Sequence, residues 1–287
     1  MTNPSIQVQA LGRTHAGRVR ENNEDAFAIV NLSNPPQVVS TMTLVALAVE
    51  ARGVLLAVSD GMGGTRAGEI ASATTLRTLV DGMVSVEAGS AEAALRQCVE
   101  GANARVWNAA HTTAVYAGMG ATLAAVLIYG SNAYVVGVGD SRVYVLRGTR
   151  LVRVTHDQSL VQELVDSGVL TEREAETSEA RSVIMKGMGL KPTVVVPMTR
   201  FPLRQGDRFL LCSDGLSEKV GDEELRRAVS TVEAMETTCA ILLDLALERG
   251  GEDNITMILS EISGAGVPPL TDAERVSPAT LMGFRAD

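Results

Sequence analysis

The chain has 287 residues and a formal net charge of −9, with 46% hydrophobic and 21% charged residues. This composition is typical of a globular protein with a substantial core and excludes a disordered chain. The acidic balance, without any block of lysine or arginine, argues against nucleic-acid binding, which needs a basic surface.

The three cysteines favour a reduced, cytoplasmic setting. Cys98, Cys212 and Cys239 lie in apolar or helical stretches and form no CxxC pair. The first residues lack the basic and apolar regions of a signal peptide, and every long apolar stretch is interrupted by polar residues. We therefore expect a cytoplasmic protein without a membrane span.

The first half of the chain predicts short strands followed by two long helices. Apolar or alternating runs indicate the strands, and alanine-rich, weakly amphipathic runs indicate the helices. The predicted strands are residues 6–11, 27–31, 43–49 and 53–58, and the predicted helices are residues 67–83 and 91–110.

Residues 121–154 predict an antiparallel meander. Four apolar runs end at Tyr129, Val138, Leu146 and Val154 and are joined by connections of two or three residues. Connections this short join antiparallel neighbours, which excludes a purely parallel sheet. Since the first run is apolar on both faces, we expect both of its sides to be covered.

The last part of the chain mixes helices and strands. A helix is expected at residues 158–168, and Thr171 with Glu174 forms the capping box of a second. Ser230 with Glu233 repeats that pattern at the start of a long helix that two glycines end. The remaining predictions are a helix at residues 222–229 and strands at residues 193–199, 207–212 and 256–262.

The order of these elements defines the expected fold. Strands are followed by a helix pair, more strands, more helices and a last strand. Two antiparallel β-sheets packed face to face, with helices on the outside, satisfy this order. The sequence therefore predicts an α+β fold with four layers, αββα.

Five aspartates lie at the ends of apolar runs or beside turn residues. They are Asp25, Asp60, Asp140, Asp214 and Asp253. Carboxylates gathered at strand ends are poorly hydrated and repel one another, so such a cluster persists mostly when a cation holds it together. Hard oxygen ligands without a Cys/His set suit Mg²⁺ or Mn²⁺ rather than zinc. The pattern predicts a multi-metal hydrolytic site.

Most of these aspartates also have an ordinary interpretation when they are taken alone. Asp214 and Asp253 could be helix caps or turn residues. Asp140 could be a hairpin residue or could pair with Arg142. The joint occurrence of all five favours the metal site.

The glycine-rich segment at residues 60–64 could likewise be an ordinary turn before a helix. It is not a nucleotide loop, because Arg66 occupies a position where that motif needs glycine. Glycine lets the backbone approach closely, so the Gly61 carbonyl can join Asp60 as a ligand.

Eight short motifs occur in a fixed order between about residues 8 and 262. They are Gly17-Arg18-Val19-Arg20 with Asn23-Glu24-Asp25, Asp60-Gly61-Met62-Gly63-Gly64, Gly120-Ala121-Thr122, Gly139-Asp140-Ser141-Arg142, Thr155-His156-Asp157, Arg181-Ser182, Cys212-Ser213-Asp214-Gly215-Leu216 and Asp253-Asn254-Ile255-Thr256. Each motif is weak alone, but the ordered set resembles the metal-dependent protein serine/threonine phosphatases of type 2C, the PPM family, especially its bacterial branch.

The resemblance implies a core of two Mn²⁺ or Mg²⁺ ions. Asp60 would bridge them, with the Gly61 carbonyl on one ion and Asp214 and Asp253 on the other. A water molecule activated between the ions would attack the phosphorus of phosphoserine or phosphothreonine.

The resemblance assigns further roles around this core. Asp25, with Glu24 nearby, would orient metal-bound waters. Arg20 would grip the substrate phosphate, because a planar guanidinium matches phosphate oxygens better than an ammonium does. Bacterial members often hold a third metal, for which Asp140 and Asp214 are the matching positions and Ser182 is a weaker candidate.

Other phosphatase chemistries do not fit the sequence. Cysteine enzymes need Cys-x5-Arg, but Cys212 is followed at that spacing by Glu218, and Cys98 by Ala104. No Asp-x-Asp motif occurs, and the three histidines lie in no dinuclear motif. We expect a surface or capping role for His156.

One position departs from some members of the family. Met62 stands where they carry a histidine that can act as a general acid. A metal-bound water would then have to protonate the leaving group, or that step would be weaker. Methionine is frequent here in bacterial relatives, so activity is still expected.

The sequence therefore predicts a phosphatase domain at residues 1–262, with a flap at about 157–192 and a C-terminal tail at 263–287. Its expected partners are phosphoserine and phosphothreonine proteins, including serine/threonine kinases and their substrates. The alternative is a pseudo-phosphatase that binds a phosphoprotein without turnover, although none of the five aspartates is missing.

Overall fold

Two antiparallel sheets lie between two layers of helices in this protein. The computed structural model describes residues 5–33, 35–39, 42–63, 67–86, 90–231 and 234–271. Three hydrophobic clusters separate the layers, one between the sheets and one beneath the helices on either side. The predicted α+β class with four αββα layers is confirmed.

The first sheet has the strand order β11-β10-β13-β14-β1-β4. Its strands are β1 (Gln7–His15), β4 (Val45–Ala48), β10 (Arg142–Arg147), β11 (Arg150–Arg153), β13 (Arg208–Cys212) and β14 (Ile255–Ser263).

The second sheet has the strand order β12-β9-β8-β5-β2-β3. Its strands are β2 (Ala26–Asn31), β3 (Gln37–Val39), β5 (Val54–Ser59), β8 (Leu123–Tyr129), β9 (Asn132–Val138) and β12 (Met198–Pro202). A separate two-stranded ribbon pairs β6 (Gly61–Met62) with β7 (Gly120–Ala121).

The helices form the outer layers. The second sheet is covered by α1 (Ala67–Ser85) and α2 (Ala91–Thr112), and the first by α6 (Asp222–Thr231) and α7 (Met235–Glu248). The short helix α5 (Asp214–Ser217) follows β13, whereas α3 (Leu160–Asp166) and α4 (Glu172–Glu176) lie in the long connection from β11 to β12. Among the helices in the described ranges, none combines the length and apolarity that a bilayer crossing needs.

Both faces of the central strands are buried. In β5, Val54, Leu56 and Val58 pack into the cluster between the sheets, whereas Leu55 and Ala57 pack beneath α1 and α2. Strand β8 alternates in the same way. The expectation that this strand is covered on both sides is confirmed, and the alternation explains its unbroken apolar run.

The predicted meander is wrong at one connection. Strands β8 and β9 pair as expected, but β10 belongs to the other sheet and pairs with β13. Residues 139–141 therefore cross between the sheets instead of forming a hairpin. Three extended residues span about 10 Å, which is also the distance between packed sheets, so a short connection does not by itself imply pairing.

Two further predicted boundaries need correction. Residues 193–197 are not a strand, since β12 begins only at Met198. In this segment Val196 packs into the cluster beneath α1 and α2, and its carbonyl accepts a hydrogen bond from Arg96. Ser230 lies inside α6, where its hydroxyl donates to the Arg227 carbonyl, so it does not cap α7. Its predicted partner, Glu233, lies outside the described residues.

Other local predictions hold. Thr171 and Glu174 form the expected capping box. Gly250 and Gly251 follow α7 with φ values of 119° and 57°, in the left-handed region that ends helices. His156 is exposed and bonds to Asp166.

The first residues after β14 pack against the domain. Val267 is 4% exposed in the cluster between the sheets, and the Pro268 carbonyl accepts a hydrogen bond from Gln205. Residues 272–287, most of the predicted tail, lie outside the described residues. The domain boundary at residue 262 remains a prediction.

Candidate metal centre

Strand register brings the five aspartates to one end of the two sheets. Ala26 of β2 faces Ser59 of β5, so Asp25 and Asp60, the next residues outward, are neighbours. Arg142 of β10 faces Cys212 of β13, which places Asp140 beside Asp214 in the same way. Asp253 lies two residues before β14, the neighbour of β13.

Arg20 reaches the same end of the molecule. The loop after β1 lies against the segment before β14, the neighbour of β1, and Arg20 Nη2 donates to Asp253 Oδ2 at 2.8 Å. The Arg20 side chain is 55% exposed, so it remains accessible from solvent. Hydrogen bonding and the charge of Asp253 raise the pKa of Arg20, which keeps the guanidinium charged.

The carboxylates form one electrostatic cluster. Burial, followed by the charges of Asp25, Asp214, Asp140 and Asp253, raises the pKa of Asp60 well above its ordinary range. Burial is likewise the main cause that raises the pKa of Asp25 to about 7 and that of Asp214 to about 6. Five acidic groups this close destabilise one another's charged forms, which is the condition that a cation relieves.

Neighbouring side chains fix two of the aspartates. The Ser213 hydroxyl donates to Asp25 Oδ2 at 2.7 Å and links the two sheets. Thr122 Oγ1 accepts a hydrogen bond from the Asp60 N–H at 2.9 Å, while the Thr122 N–H donates to the Asp60 carbonyl at 2.8 Å. No role was predicted for Ser213 or Thr122 from the sequence, although both lie in the quoted motifs.

Because Gly68 has no side chain, the Gly61 carbonyl and the Glu24 carboxylate can lie next to each other beside it. A Cβ on Gly68, at the start of α1, would lie 2.3 Å from Glu24 Oε2 and 2.7 Å from the Gly61 oxygen. Burial raises the pKa of Glu24. The absence of a side chain at Gly68 thus leaves space next to both of these oxygen atoms. Gly64, also in the predicted motif, lies outside the described residues.

The oxygen atoms of this end fit a hard divalent cation. Three buried carboxylate oxygens, Oδ1 of Asp25, Asp140 and Asp214, have no hydrogen-bond partner. Among the described residues no three His, Cys, Asp or Glu side chains are grouped closely enough to hold an ion by themselves. Magnesium-like ions use one or two carboxylates and keep several waters, so partly assembled carboxylates with a nearby carbonyl suit them.

Comparison with known proteins identifies the family. The family model described as protein phosphatase 2C matches residues 44–248. The serine/threonine phosphatase stp of Listeria monocytogenes is 32% identical over 254 residues, which covers 87% of this chain and 94% of that protein. The chain belongs to the protein phosphatase 2C family.

Other relatives agree with this placement in the phosphatase 2C family. Serine/threonine protein phosphatase PstP of Mycobacterium tuberculosis is 35% identical over 91% of this chain. Its catalytic domain in complex with two manganese ions superposes with a TM-score of 0.74 at 34% identity, covering 90% of this chain and 99% of that one. Stp1 of Staphylococcus aureus superposes with a TM-score of 0.77 at 32% identity, covering 88% and 94%. The chain spans about half the length of the full PstP sequence, 46%.

The structure of this phosphatase 2C family member tests the ordinary interpretations of Asp140 and Asp214. Arg142 pairs with Asp157, at 2.7 Å, and not with Asp140. Asp140 is in no hairpin, because β9 and β10 lie in different sheets. Asp214 is the first residue of α5, but the N-cap is Ser213.

The flap predicted from the phosphatase 2C resemblance contacts the carboxylate end. Arg181 Nε donates to Glu218 at 3.1 Å, just after α5. Ser182, the candidate for a third ion, is exposed in the following position, and its metal role remains a prediction. Met62 pairs with Gly120 in the ribbon. His15, the histidine at this end, accepts a hydrogen bond from the Gly17 N–H.

Proposed function

We propose that this chain is a metal-dependent protein serine/threonine phosphatase that hydrolyses phosphoserine and phosphothreonine on proteins. The observation that carries the proposal is the meeting of five aspartates from both sheets with an accessible arginine. Membership of the phosphatase 2C family supports it. In this role the protein would reverse serine/threonine kinase signalling, with kinases and their substrates as partners.

The donor set supports Mn²⁺ or Mg²⁺ as the cofactor. Asp60, Asp214 and Asp253 with the Gly61 carbonyl would hold two ions, as the two manganese ions in the PstP structure suggest. Asp25 and Glu24 would orient waters. Bound divalent ions supply Lewis-acid chemistry, which makes water nucleophilic near neutral pH and offsets phosphate charge.

Asp140, with Asp214, is the candidate for a third ion. Its Oδ1 atom is buried without a hydrogen-bond partner, which supports a ligand role. Ser182, which is exposed, is the weaker candidate for this third site.

The chain's own groups provide binding and orientation. Arg20 is charged and accessible, and the bond from its Nη2 to Asp253 leaves other N–H groups that can donate to phosphate oxygens. Asp25, fastened by Ser213, can accept a proton from a water at the same end. Since each of the three histidines is exposed, we assign none of them as the general acid.

The proposed domain comprises residues 1–262, with residues 157–192 as the flap that influences substrate choice and 263–287 as a tail. A cytoplasmic location is part of the proposal. It is supported by Cys98, Cys212 and Cys239, which are free and buried.

The decisive experiment measures hydrolysis of a phosphothreonine peptide and of para-nitrophenyl phosphate by the purified chain. We expect turnover with Mn²⁺ that EDTA abolishes and added Mn²⁺ restores. A folded protein that binds Mn²⁺, shown by calorimetry, but turns over neither substrate would favour the pseudo-phosphatase alternative.

A further inference from the structure

A single buried side chain fastens the loop that carries Arg20. Asn254 Oδ1 accepts a hydrogen bond from the Glu24 N–H at 2.7 Å. Its Nδ2 donates to the carbonyls of Ala16 and Asn22, both at 2.9 Å. The residue is 5% exposed. One amide therefore satisfies backbone groups at both ends of the loop.

The same loop lies directly against the segment before β14. Gly17 has φ +80°, and a Cβ there would lie 2.2 Å from the Asp253 carbonyl oxygen. The Arg18 N–H donates to the Gly251 carbonyl at 2.7 Å. The guanidinium of Arg20 then reaches Asp253. Its position therefore depends on how the loop docks.

We propose that Asn254 is a positioning residue for Arg20, holding the loop so that the guanidinium meets the substrate phosphate. This inference rests on the proposed function. Only an amide supplies two donors and an acceptor in this space. Aspartate would lose both donors and add a charge beside Asp253, whereas leucine has a similar size and removes all three hydrogen bonds.

The chain contains a matched control. Asn103 of α2 is 1% exposed and makes the same three kinds of hydrogen bond to a different loop. Its Oδ1 accepts from the Gly189 N–H at 2.8 Å, and its Nδ2 donates to the carbonyls of Lys191 and Pro192 at 3.1 and 3.3 Å. Asn103→Leu therefore removes equivalent bonds from the end of the flap without touching the Arg20 loop.

A double-mutant cycle tests the coupling. Binding of inorganic phosphate to the Mn²⁺-loaded protein is measured by calorimetry in the wild-type and Arg20→Ala backgrounds. We expect Asn254→Leu to raise the Kd for phosphate about tenfold when Arg20 is present and less than about twofold when it is absent. Asn103→Leu should change Kd by the same factor in both backgrounds. Equal factors for Asn254→Leu in both backgrounds, or no change in either, would overturn the proposal.

A second measurement needs neither metal nor turnover. Amide hydrogen exchange of the metal-free protein should become about tenfold faster at residues 17–24 in Asn254→Leu and at residues 187–192 in Asn103→Leu. Unchanged exchange at residues 17–24 would refute the fastening role. If Asn254→Leu does not fold, Asn254→Ser, which keeps a small polar group, replaces it in both experiments.

The two hypotheses fail separately. If the wild-type protein binds phosphate but shows no turnover, the proposed function is refuted. The double-mutant cycle can still be interpreted, because it measures phosphate binding. If the protein is an active phosphatase but the effects of Asn254→Leu and Arg20→Ala on phosphate binding are additive, only the proposed role of Asn254 is refuted.

Discussion

Replacing Asp214 with asparagine should stabilise the metal-free protein at alkaline pH, although it removes a proposed ligand. Burial and the charges of Asp253 and Glu218 raise the pKa of Asp214 to about 6, against an ordinary 3.8. This difference of about two pKa units lowers the free energy of unfolding by about 3 kcal/mol once the carboxyl group is ionised. Asparagine carries no such charge.

The sign of the pH dependence follows from the raised pKa. The folded state binds the proton more tightly than the unfolded state, so the penalty is absent below about pH 4 and complete above about pH 6. At pH 4.5 only about a third of the full penalty of about 3 kcal/mol is present. Loss of hydrogen bonds from the Asp214 carboxylate costs about 1 kcal/mol at either pH. We therefore expect Asp214→Asn to gain about 1–2 kcal/mol at pH 8 and almost nothing at pH 4.5.

Thermal unfolding in EDTA measures this effect. At about 2–4 °C per kcal/mol, this gain should raise Tm by roughly 2–8 °C at pH 8. The control Asp81→Asn changes an aspartate whose side chain is 71% exposed on α1, and its stability should stay within about 0.5 kcal/mol. With Mn²⁺ the order should reverse, because the wild type gains more from the ion. An equal fall in Tm at both pH values would refute the picture of crowded carboxylates.

Three further changes test separate parts of the structure. Arg20→Lys should raise KM for a phosphothreonine peptide about tenfold, because an ammonium cannot match two phosphate oxygens; an unchanged KM would contradict the assigned grip. Gly68→Ala should weaken Mn²⁺ activation about tenfold, since its Cβ would crowd Glu24 at 2.3 Å, and activation at the wild-type Mn²⁺ concentration would argue against that crowding. Asp207→Asn should cost about 3–5 kcal/mol in urea unfolding, because it leaves Arg147, 5% exposed, without its charge partner; a loss below about 1 kcal/mol would show that the pair is dispensable.

The sequence predicted that the aspartates converge because their signal is local, whereas their roles as metal ligands stay predictions. An apolar run that ends in aspartate and a turn residue marks the end of a strand, as at Asp60, Asp140 and Asp214. Asp25 and Asp253 instead precede β2 and β14, and all five residues meet at one end of the sheets. The same local pattern failed at residues 139–141, where strands β9 and β10 looked like a hairpin. Both strands are buried on both faces, so no alternation of polar residues showed which sheet each one joins.

The supporting hydrogen bonds were beyond prediction from the sequence. Ser213 and Asp25 are 188 positions apart, and Thr122 and Asp60 are 62 apart. Such partners depend on the register of strands in two sheets, which no single motif contains. The ribbon of β6 and β7 was missed for a simpler reason, because two-residue strands have no periodicity to detect.

The location of the carboxylates explains why a four-layer fold suits this chemistry. Asp25 and Asp60 extend strands of the second sheet, whereas Asp214 and Asp253 flank strands of the first, and Asp140 lies on the crossing between them. Groups that repel one another stay together only if their backbones cannot move apart. The densely packed cluster between the sheets provides this restraint, because interiors at crystal-like density resist displacement. The relative position of the two sheets therefore sets the separation of the carboxylates, and the loop that carries Arg20 can vary without altering it.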